Sequence, residues 1–297
     1  MNRINKLLFI TLLLIYFNRI YPDTSTINIP TCKTIGLANE VSTVDNSGFS
    51  IITNPSLLSD LKNFYSFEYA KIFYYSKTTY DLLSIASNTF NKIGIGLVFG
   101  RFSSGEIQIR NIDGILTGES FEYMYSMFSL GVGVKLIDDI YQTFQAGFSG
   151  YTFLEKIYSD KIYFGFNNGV AYDLKFKNKF LKLLRIGIVI KKLSISKNFV
   201  YNIGLGLKLP ESMLMVGYED IFPEGATKYR ISSSFNVYTS KDFKKVLKLN
   251  LGYVFNSDVY NISSGIELEV YNFLISYSYS THKYLSSISA IQISFLY

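Results

Sequence analysis

Large apolar residues and small or polar residues alternate along most of the chain. Between residues 93 and 100, large apolar side chains occupy every odd position, and glycine occupies three of the four even positions. The same alternation recurs in residues 162–173, 201–209, 247–255 and 262–270. A period of two places successive side chains on opposite faces of a β-strand. The pattern therefore predicts strands with one apolar face and one face that is small or polar.

Applied to the whole chain, this pattern predicts about fourteen strands, an even number as expected for a single-chain bacterial barrel. A longer loop, Arg101–Ser120, is predicted between the third and fourth strands. The predicted strands are residues 64–70, 79–87, 93–100, 121–136, 141–153, 161–174, 183–193, 201–209, 213–218, 228–237, 246–255, 260–270, 273–280 and 287–297.

The apolar faces add up to a hydrophobic chain without a spanning helix. Hydrophobic residues make up 48% of the sequence, and the mean hydropathy is +0.18. After residue 23, however, no window approaches the run of about 18 apolar residues that a transmembrane helix needs. A closed barrel satisfies its backbone groups in lipid without such a helix. We therefore predict an all-β fold in which residues 62–297 form one transmembrane antiparallel β-barrel; a soluble exported β protein is the alternative.

Residues 1–23 have the features of a secretory signal peptide. Arg3 and Lys6 precede a largely apolar run from Leu7 to Phe17. That run is too short to cross a hydrocarbon core of about 30 Å as a helix. An uncleaved anchor is the alternative, because no small-x-small triplet follows the run. Either way, this segment predicts export from the cytoplasm.

The last predicted strand carries its apolar residues on one face and ends on an aromatic residue. These residues are Ile291, Ile293, Phe295 and Tyr297. This ending is similar to the terminal strand of bacterial outer-membrane barrels, which the barrel assembly machinery reads. We therefore predict a membrane-assembly signal here, location in the bacterial outer membrane, and closure of the barrel against the strand that begins near Phe64.

Residues 24–61 form an irregular lead before the first strand. Asn54 followed by Pro55 predicts a turn, because proline pushes its predecessor out of the α region. The leucines that follow could form one short apolar helical turn. Cys32 is the only cysteine, so no intrachain disulfide is available, and we expect a small buried residue there.

A family resemblance is carried by residues 34–58, which contain Gly-Leu-Ala, then Asp-Asn, then Asn-Pro-Ser-Leu-Leu. This order resembles the N-terminal signature of the FadL-like superfamily, especially its PorV-type and spirochaetal members. That signature reads approximately Leu-Gly-Gly-Ala, then Ala-Asp-Asp, then Asn-Pro-Ala-Gly-Leu. Here Asp45-Asn46 stands for the acidic pair, and only Asn54-Pro55 is a strict match.

The resemblance implies a function for the lead segment. In this superfamily the N-terminal segment folds into the barrel lumen as a hatch, and FadL-type members carry long-chain fatty acids by diffusion. Carried over to this chain, it implies a hatch at residues 24–61 with Asp45, Asn46, Asn54 and Pro55 near the gate. An ordinary turn before the first strand is the alternative for Asn54-Pro55.

Catalysis finds little support in the sequence. His282 is the single histidine, so a Ser-His-Asp triad or a histidine metal site lacks its parts. No Gly-x-Ser-x-Gly elbow is present. The net charge of +6 is spread over rim segments such as 175–182 and 241–248 and does not indicate nucleic-acid binding. We expect no enzyme activity, no cofactor, no metal and no nucleic-acid partner.

Two function classes remain. The first is passive uptake of hydrophobic small molecules, with membrane lipids, the barrel assembly machinery and a long-chain fatty acid or other lipophilic ligand as partners. The second is a surface scaffold, such as a PorV-type secretion partner or an adhesin. An apolar cavity from surface to wall would favour the first, and a solid lumen with one large apolar loop would favour the second. A general porin is disfavoured, because predicted inward positions are mostly glycine, serine or apolar.

Overall fold

The computed structural model describes residues 29–43, 47–62, 64–74, 78–89, 91–110, 116–156, 160–193, 199–222, 226–240, 245–255, 260–282 and 287–297. The predicted signal peptide and the candidates Asp45 and Asn46 lie outside these residues. The described strands are β1 Tyr65–Phe73, β2 Thr79–Thr89, β3 Ile93–Arg110, β4 Leu116–Asp138, β5 Gln142–Lys156, β6 Asp160–Lys175, β7 Leu183–Leu193, β8 Phe199–Lys208, β9 Ser212–Phe222, β10 Ala226–Ser240, β11 Lys245–Phe255, β12 Tyr260–Val270, β13 Phe273–His282 and β14 Ile288–Leu296.

These fourteen strands form a closed antiparallel barrel in which each strand pairs with its neighbours in sequence. The barrel closes where β1 pairs with β14, in a register that runs from Ser66 opposite Leu296 to Phe73 opposite Ser289. The predicted barrel, its strand number and its closing pair are confirmed. Closure matters physically because it leaves no strand with unpaired backbone groups at an open edge.

The predicted loop Arg101–Ser120 is wrong. β3 continues to Arg110 and β4 begins at Leu116, so these strands form a long hairpin. A register shift lies between Ser103 and Glu106, where Gly105 has a positive φ of 68°. Most side chains of the hairpin extension are exposed or half-buried. The alternation disappears there because the extension has no buried face, and it was this alternation that marked strands in the sequence.

The outer face of the barrel is apolar. On β14, Ile291 is 43% exposed, Ile293 49% and Phe295 37%, as the period-two pattern predicts. Further exposed aromatic residues lie at the rim where β1 begins and β14 ends, which we call the terminal rim: Phe64, Tyr65, Tyr141, Phe180, Tyr238, Tyr271, Phe273 and Tyr297. An apolar outer wall with aromatic residues at the rim is typical of barrels that face lipid.

The inner face has two different sides. Strands β1 to β5 contribute a buried apolar cluster that includes Ile72, Tyr80, Leu82, Val98, Met127, Tyr151 and Phe153. Strands β8 to β14 contribute buried polar residues that include Asn202, Glu219, Arg230, Ser232, Asn250, Glu267, Ser278 and Gln292. Inward Glu267 is 3% exposed and accepts a hydrogen bond of 2.7 Å from Asn250.

Residues 29–43 and 47–62, which together we call the N-terminal segment, pack against this inner face. The segment contains the helix α1, Cys32–Gly36, and two 3₁₀ helices, Gly48–Ile51 and Pro55–Asp60. The second 3₁₀ helix confirms the predicted helical turn after Asn54. The segment contributes Phe49, Ile51 and Leu58 to the buried apolar cluster of the barrel.

Inward-facing glycines on the barrel wall leave room for the backbone of the N-terminal segment. Gly94, Gly133, Gly147 and Gly169 lie side by side on β3 to β6, because each is the register partner of the next. A Cβ added to Gly147 would lie 2.5 Å from the carbonyl oxygen of Pro55. The second 3₁₀ helix and the turn before it can approach the wall only where the wall lacks side chains.

We predict that Gly147→Ala destabilises the folded chain by about 1–3 kcal/mol, because the added methyl group overpacks the contact with Pro55. The measurement is the temperature at which the protein in detergent loses its compact electrophoretic mobility. Gly150→Ala is the matched control, because a Cβ at that position of the same strand has no neighbour closer than 4.0 Å. Equal transition temperatures for the two variants would contradict the proposed contact.

Candidate functional site

Asn54 and Pro55 form a buried corner in the N-terminal segment. The Asn54 side chain caps the second 3₁₀ helix, since its Oδ1 accepts hydrogen bonds from Ser56 N at 3.2 Å and Ser56 Oγ at 2.7 Å. Its Nδ2 donates to the carbonyl oxygen of Ser42 at 2.7 Å. Asparagine is a preferred N-cap residue, and proline fits the first helical position. The pair therefore joins the two halves of the segment, while a role in gating stays a prediction.

The other predicted site residues do not join Asn54. Ile291, Ile293 and Phe295 lie on the outer face of β14, on the opposite side of the wall from the segment. Tyr297 exchanges two backbone hydrogen bonds of 2.9 Å with Tyr65. The structure thus places the C-terminal residues at the closing seam of the barrel.

Glu68 of β1, which the sequence analysis did not single out, anchors the first 3₁₀ helix. Its carboxylate accepts hydrogen bonds from Ser47 Oγ at 2.8 Å and from Gly48 N. It also accepts from Gln292 Nε2 at 2.8 Å and Ser294 Oγ at 3.3 Å. A carboxylate at the start of a helical turn satisfies backbone N–H groups that lack a partner. The only sequence signal was an acidic residue at an inward position of a strand.

Asp60 anchors the other end of the segment near the terminal rim. Its carboxylate accepts a hydrogen bond of 2.6 Å from Gln145 and forms ion pairs with Lys135 at 3.2 Å and with Arg185. The Arg185 side chain is 4% exposed and also pairs with Asp173 at 2.6 Å. Hydrogen bonds between ionised partners are stronger than neutral ones. Charged groups therefore hold residues 47–62 at both ends.

Side-chain amides and hydroxyls hold the carbonyl groups between those two ends. Asn88 Nδ2 donates to the carbonyl oxygens of Ser59 at 3.0 Å and Leu61 at 2.7 Å. Ser149 Oγ donates to the carbonyl oxygen of Ile51 at 2.6 Å. Such donors satisfy carbonyl groups that short helices leave free. Residues 47–62 are thus attached to the wall along their whole length.

A second charged group lies inside the barrel on β9 and β10. Glu219 and Arg230 pair at 2.7 Å, with side chains 2% and 4% exposed, and Lys228 lies 3.6 Å from Glu219. Glu40 of the N-terminal segment is also buried, and its carboxylate lies against Gly217. Pairing with an opposite charge offsets part of the free-energy cost of removing these groups from bulk water.

Aromatic side chains cover the inner wall of β2 to β5 above the first 3₁₀ helix. Phe102 and Tyr125 stack with ring centroids 4.6 Å apart, and Tyr125 also contacts Phe153 at 5.8 Å and Tyr80 at 5.7 Å. Phe102 and Tyr125 are only partly buried. A partly exposed aromatic surface inside a barrel can bind apolar molecules by stacking and by release of water.

Two cavities in the described part of the barrel have mixed linings. The first has a volume of about 150 Å³ and the second of about 360 Å³. Only the second reaches the size of a typical small-molecule site, about 300–1,000 Å³. Each combines apolar residues with charged ones, so neither is the wholly apolar cavity expected of a simple hydrocarbon conduit. The first is lined by Ile29, Ile35, Val41, Val254, Ile288, Glu219, Lys228 and Arg230, among others.

The described part of the chain contains neither a membrane-spanning helix nor a candidate metal site. No helix among the described residues is long and apolar enough to cross a membrane. No group of three or more His, Cys, Asp or Glu side chains in the described ranges is placed to hold a metal ion.

Known structures share this fold. The chain is similar to the toluene transporter TodX of Pseudomonas putida, with 9% identity, 92% of this chain and 99% of that chain covered, and a TM-score of 0.61. It is also similar to the toluene transporter TbuX of Ralstonia pickettii, with 10% identity, 92% and 99% coverage, and a TM-score of 0.58. CymD, a monoaromatic hydrocarbon channel, gives 10% identity, 90% and 97% coverage, and a TM-score of 0.55.

No family model matches the sequence, and no curated protein matches it. At such low identity, the structural similarity shows the fold alone. The fold expected from the N-terminal signature, a barrel of about fourteen strands, is therefore confirmed. Membership of the FadL-like superfamily, including its PorV-type and spirochaetal members, stays a prediction.

We predict that the thiol of Cys32 is protected in the folded chain. Cys32 is fully buried, and desolvation raises the pKa of its thiol to about 12, so little of the reactive thiolate forms near pH 8. Alkylation by a maleimide should be slower by about tenfold or more in the folded protein than in urea, measured by mass spectrometry. Equal rates in the two states would mean that α1 is not seated against the wall.

Proposed function

We propose that the chain is a bacterial outer-membrane barrel through which hydrophobic small molecules pass by diffusion, with the N-terminal segment as a hatch. The observation that carries the proposal is the partly exposed aromatic surface on the inner wall of β2 to β5. This surface continues directly into the apolar cluster that the segment shares with the wall. An apolar solute inside the barrel would therefore meet an apolar surface first and the hatch next.

The fold and the outer surface support this proposal. The three compared structures are named as toluene transporters or a monoaromatic hydrocarbon channel, which are transport proteins and not enzymes. The apolar outer wall and its aromatic rim suit a barrel surrounded by membrane lipids. The mixed lining of the two cavities suits an amphiphile such as a long-chain fatty acid, which would place its tail on apolar residues and its carboxylate near lysine or arginine.

The proposed transport needs no energy source. Burying apolar solute surface against the aromatic wall yields about 25 cal/mol per Å², which concentrates the solute inside the barrel. Passage then requires only that part of the hatch moves aside. Flow follows the concentration gradient, since no nucleotide-binding loop accompanies the barrel in the sequence.

A surface scaffold is the second candidate, and the β3–β4 hairpin favours it. Among the described residues, β3 after Ser103 pairs only with β4, and β4 before Met124 pairs only with β3, so the strands of this hairpin extend past their neighbours. Ile107 is 39% exposed and Leu116 is 47% exposed there. A PorV-type secretion partner or an adhesin would use such a projection to hold another protein.

Uptake by intact cells separates the two candidates. We expect a host strain that lacks its own hydrophobic-compound channels to take up labelled toluene or oleate faster when it produces this chain. In planar bilayers, deletion of residues 31–61 should raise small-solute conductance, because it removes the material that fills the lumen. Heat-modifiable gel mobility first verifies that the shortened chain has folded.

Two results would contradict the proposal. Uptake equal to that of cells without the protein would favour the scaffold, provided that the barrel is present in the outer membrane. Conductance unchanged by the deletion would mean that the segment does not obstruct the lumen. Truncation of residues 104–122 is the matched control, because it shortens the projecting hairpin and leaves the lumen filled.

We propose further that the outer face of β14 is the signal that the barrel assembly machinery recognises. Phe295→Ser with Tyr297→Ser should lower the amount of barrel in the outer membrane while export to the periplasm continues, measured by fractionation and heat modification. The matched control is Tyr253→Ser with Phe255→Ser on β11, where the same residue types are also exposed on the outer face. Equal loss in both double variants would indicate general destabilisation and no special signal.

A further inference from the structure

The turn between β6 and β7 is rich in lysine and phenylalanine. Residues 175–182 read Lys-Phe-Lys-Asn-Lys-Phe-Leu-Lys, with four lysines, two phenylalanines and no acidic residue. The turn lies at the terminal rim, and every residue from Phe176 to Phe180 is exposed. A run that exposes both cations and aromatic rings suits a partner with anionic and apolar parts.

Large apolar side chains are more exposed here than elsewhere on the described surface. Phe180 is 80% exposed, which is the largest exposed fraction of any large hydrophobic residue in the described part of the chain. In the neighbouring β4–β5 turn, Ile140 is 69% exposed and Tyr141 is 64% exposed. Exposed apolar groups clustered in this way mark a surface that binds another molecule or a membrane.

Backbone hydrogen bonds join these turns into one surface. Lys175 N donates to the carbonyl oxygen of Tyr141 at 2.7 Å, and Phe176 N donates to that of Lys182 at 3.0 Å. Lys182 N donates in turn to the carbonyl oxygen of Lys208 at 2.8 Å. The β4–β5 turn, the β6–β7 turn and the end of β8 therefore lie side by side. We call this surface the basic aromatic patch; it consists of residues 138–141, 175–182 and 208.

The basic aromatic patch carries more positive than negative charge. Its charged residues are Lys175, Lys177, Lys179, Lys182, Lys208, Asp138 and Asp139. Lys175 pairs with Asp138 at 2.9 Å, and Lys177 Nζ lies 5.5 Å from the centroid of the Tyr141 ring. Five lysines against two aspartates leave the patch with an excess of cations, which lie among its exposed aromatic rings.

The patch lies where the apolar outer wall ends. On the strands that enter it, Phe148 of β5 is 50% exposed and Ile186 of β7 is 39% exposed on the outer face. A barrel with such a wall places its rim at the height of the lipid head groups. Aromatic residues favour this boundary, and clusters of lysine attract anionic lipids to it.

We propose that the basic aromatic patch binds anionic phospholipid head groups in the leaflet at the terminal rim. The lysines contact the phosphate groups, while Tyr141, Phe176 and Phe180 enter the boundary between head groups and acyl chains. The proposal rests on the membrane location in the proposed function and adds a lipid preference that is confined to one sector of the rim.

Tryptophan fluorescence tests this proposal, because the chain contains no tryptophan. The Phe180→Trp variant is reconstituted in phosphatidylcholine vesicles that contain about one quarter phosphatidylglycerol, with bromine on the acyl chains of one lipid or the other. Bromine quenches a neighbouring indole ring. Brominated phosphatidylglycerol should quench this tryptophan about threefold more than its share of the bilayer predicts. Sodium chloride at about 0.5 M should reduce the preference, because salt screens exposed charges.

Phe273→Trp is the matched control. Phe273 also lies at the terminal rim and is 54% exposed, but its turn, Tyr271-Asn272, has no charged residue. Quenching there should follow the bulk lipid composition. In the Phe180→Trp background, Lys177→Gln with Lys179→Gln and Lys182→Gln should lower the preference to the level of this control. Lys175 is kept, because its ion pair with Asp138 belongs to the fold.

Four outcomes would overturn the proposal. They are an equal preference at both positions, a preference that survives the three lysine substitutions, quenching at Phe180→Trp that follows the bulk composition, and quenching at Phe273→Trp alone. The last would assign the patch to an aqueous partner such as an acidic protein. Normal solute uptake beside any of these results would leave the proposed function standing. Absence of quenching at both positions would place the rim outside lipid and contradict the proposed membrane location as well.

Discussion

The width of the barrel is the constraint on which the rest of the structure depends. A barrel of about eight strands is just filled by its own inward side chains, whereas this one has fourteen. The interior must therefore be filled by other parts of the chain or by water. The N-terminal segment fills it, and the inward glycines of β3 to β6 let its backbone lie directly on the wall. A methyl group in that row would separate the two surfaces and leave carbonyl groups of the segment without their partners.

The N-terminal segment does not fill all parts of the lumen equally. The carboxylates of Glu68 on the wall and Asp60 in the segment attach residues 47–62 to the wall at both ends, and Asn88 and Ser149 donate to carbonyl groups between these ends. On the opposite side of the lumen, α1 lies between two cavities and meets a wall of serine, asparagine and glycine. The lumen is therefore filled unevenly, and cavities of about 150 and 360 Å³ remain on the side of α1.

Local sequence patterns predicted the corner of the segment at Asn54-Pro55 but not the side chains that attach the segment to the wall. Asn54 and Pro55 could be found because a turn before proline has a local cause, and the structure places them at the corner of the segment. The roles of Glu68, Asp60 and Arg185 could not be found, because the contacts by which they join the segment to the wall span 20 or more residues in sequence. The β3–β4 hairpin was missed for a related reason: its extension has no buried face, so no alternation marks it.

The sequence by itself determined a closed antiparallel barrel with an apolar outer face, because strand alternation is a local property that every hairpin repeats. It also determined which positions point inward, since a shift of one residue would turn each apolar set into the lumen. Only the tertiary structure decided what fills the lumen and how firmly. The contact of Pro55 with Gly147, the pairing of Asp60 with Arg185 and the position of α1 between two cavities join residues far apart in the chain, and no local pattern records which of them will meet.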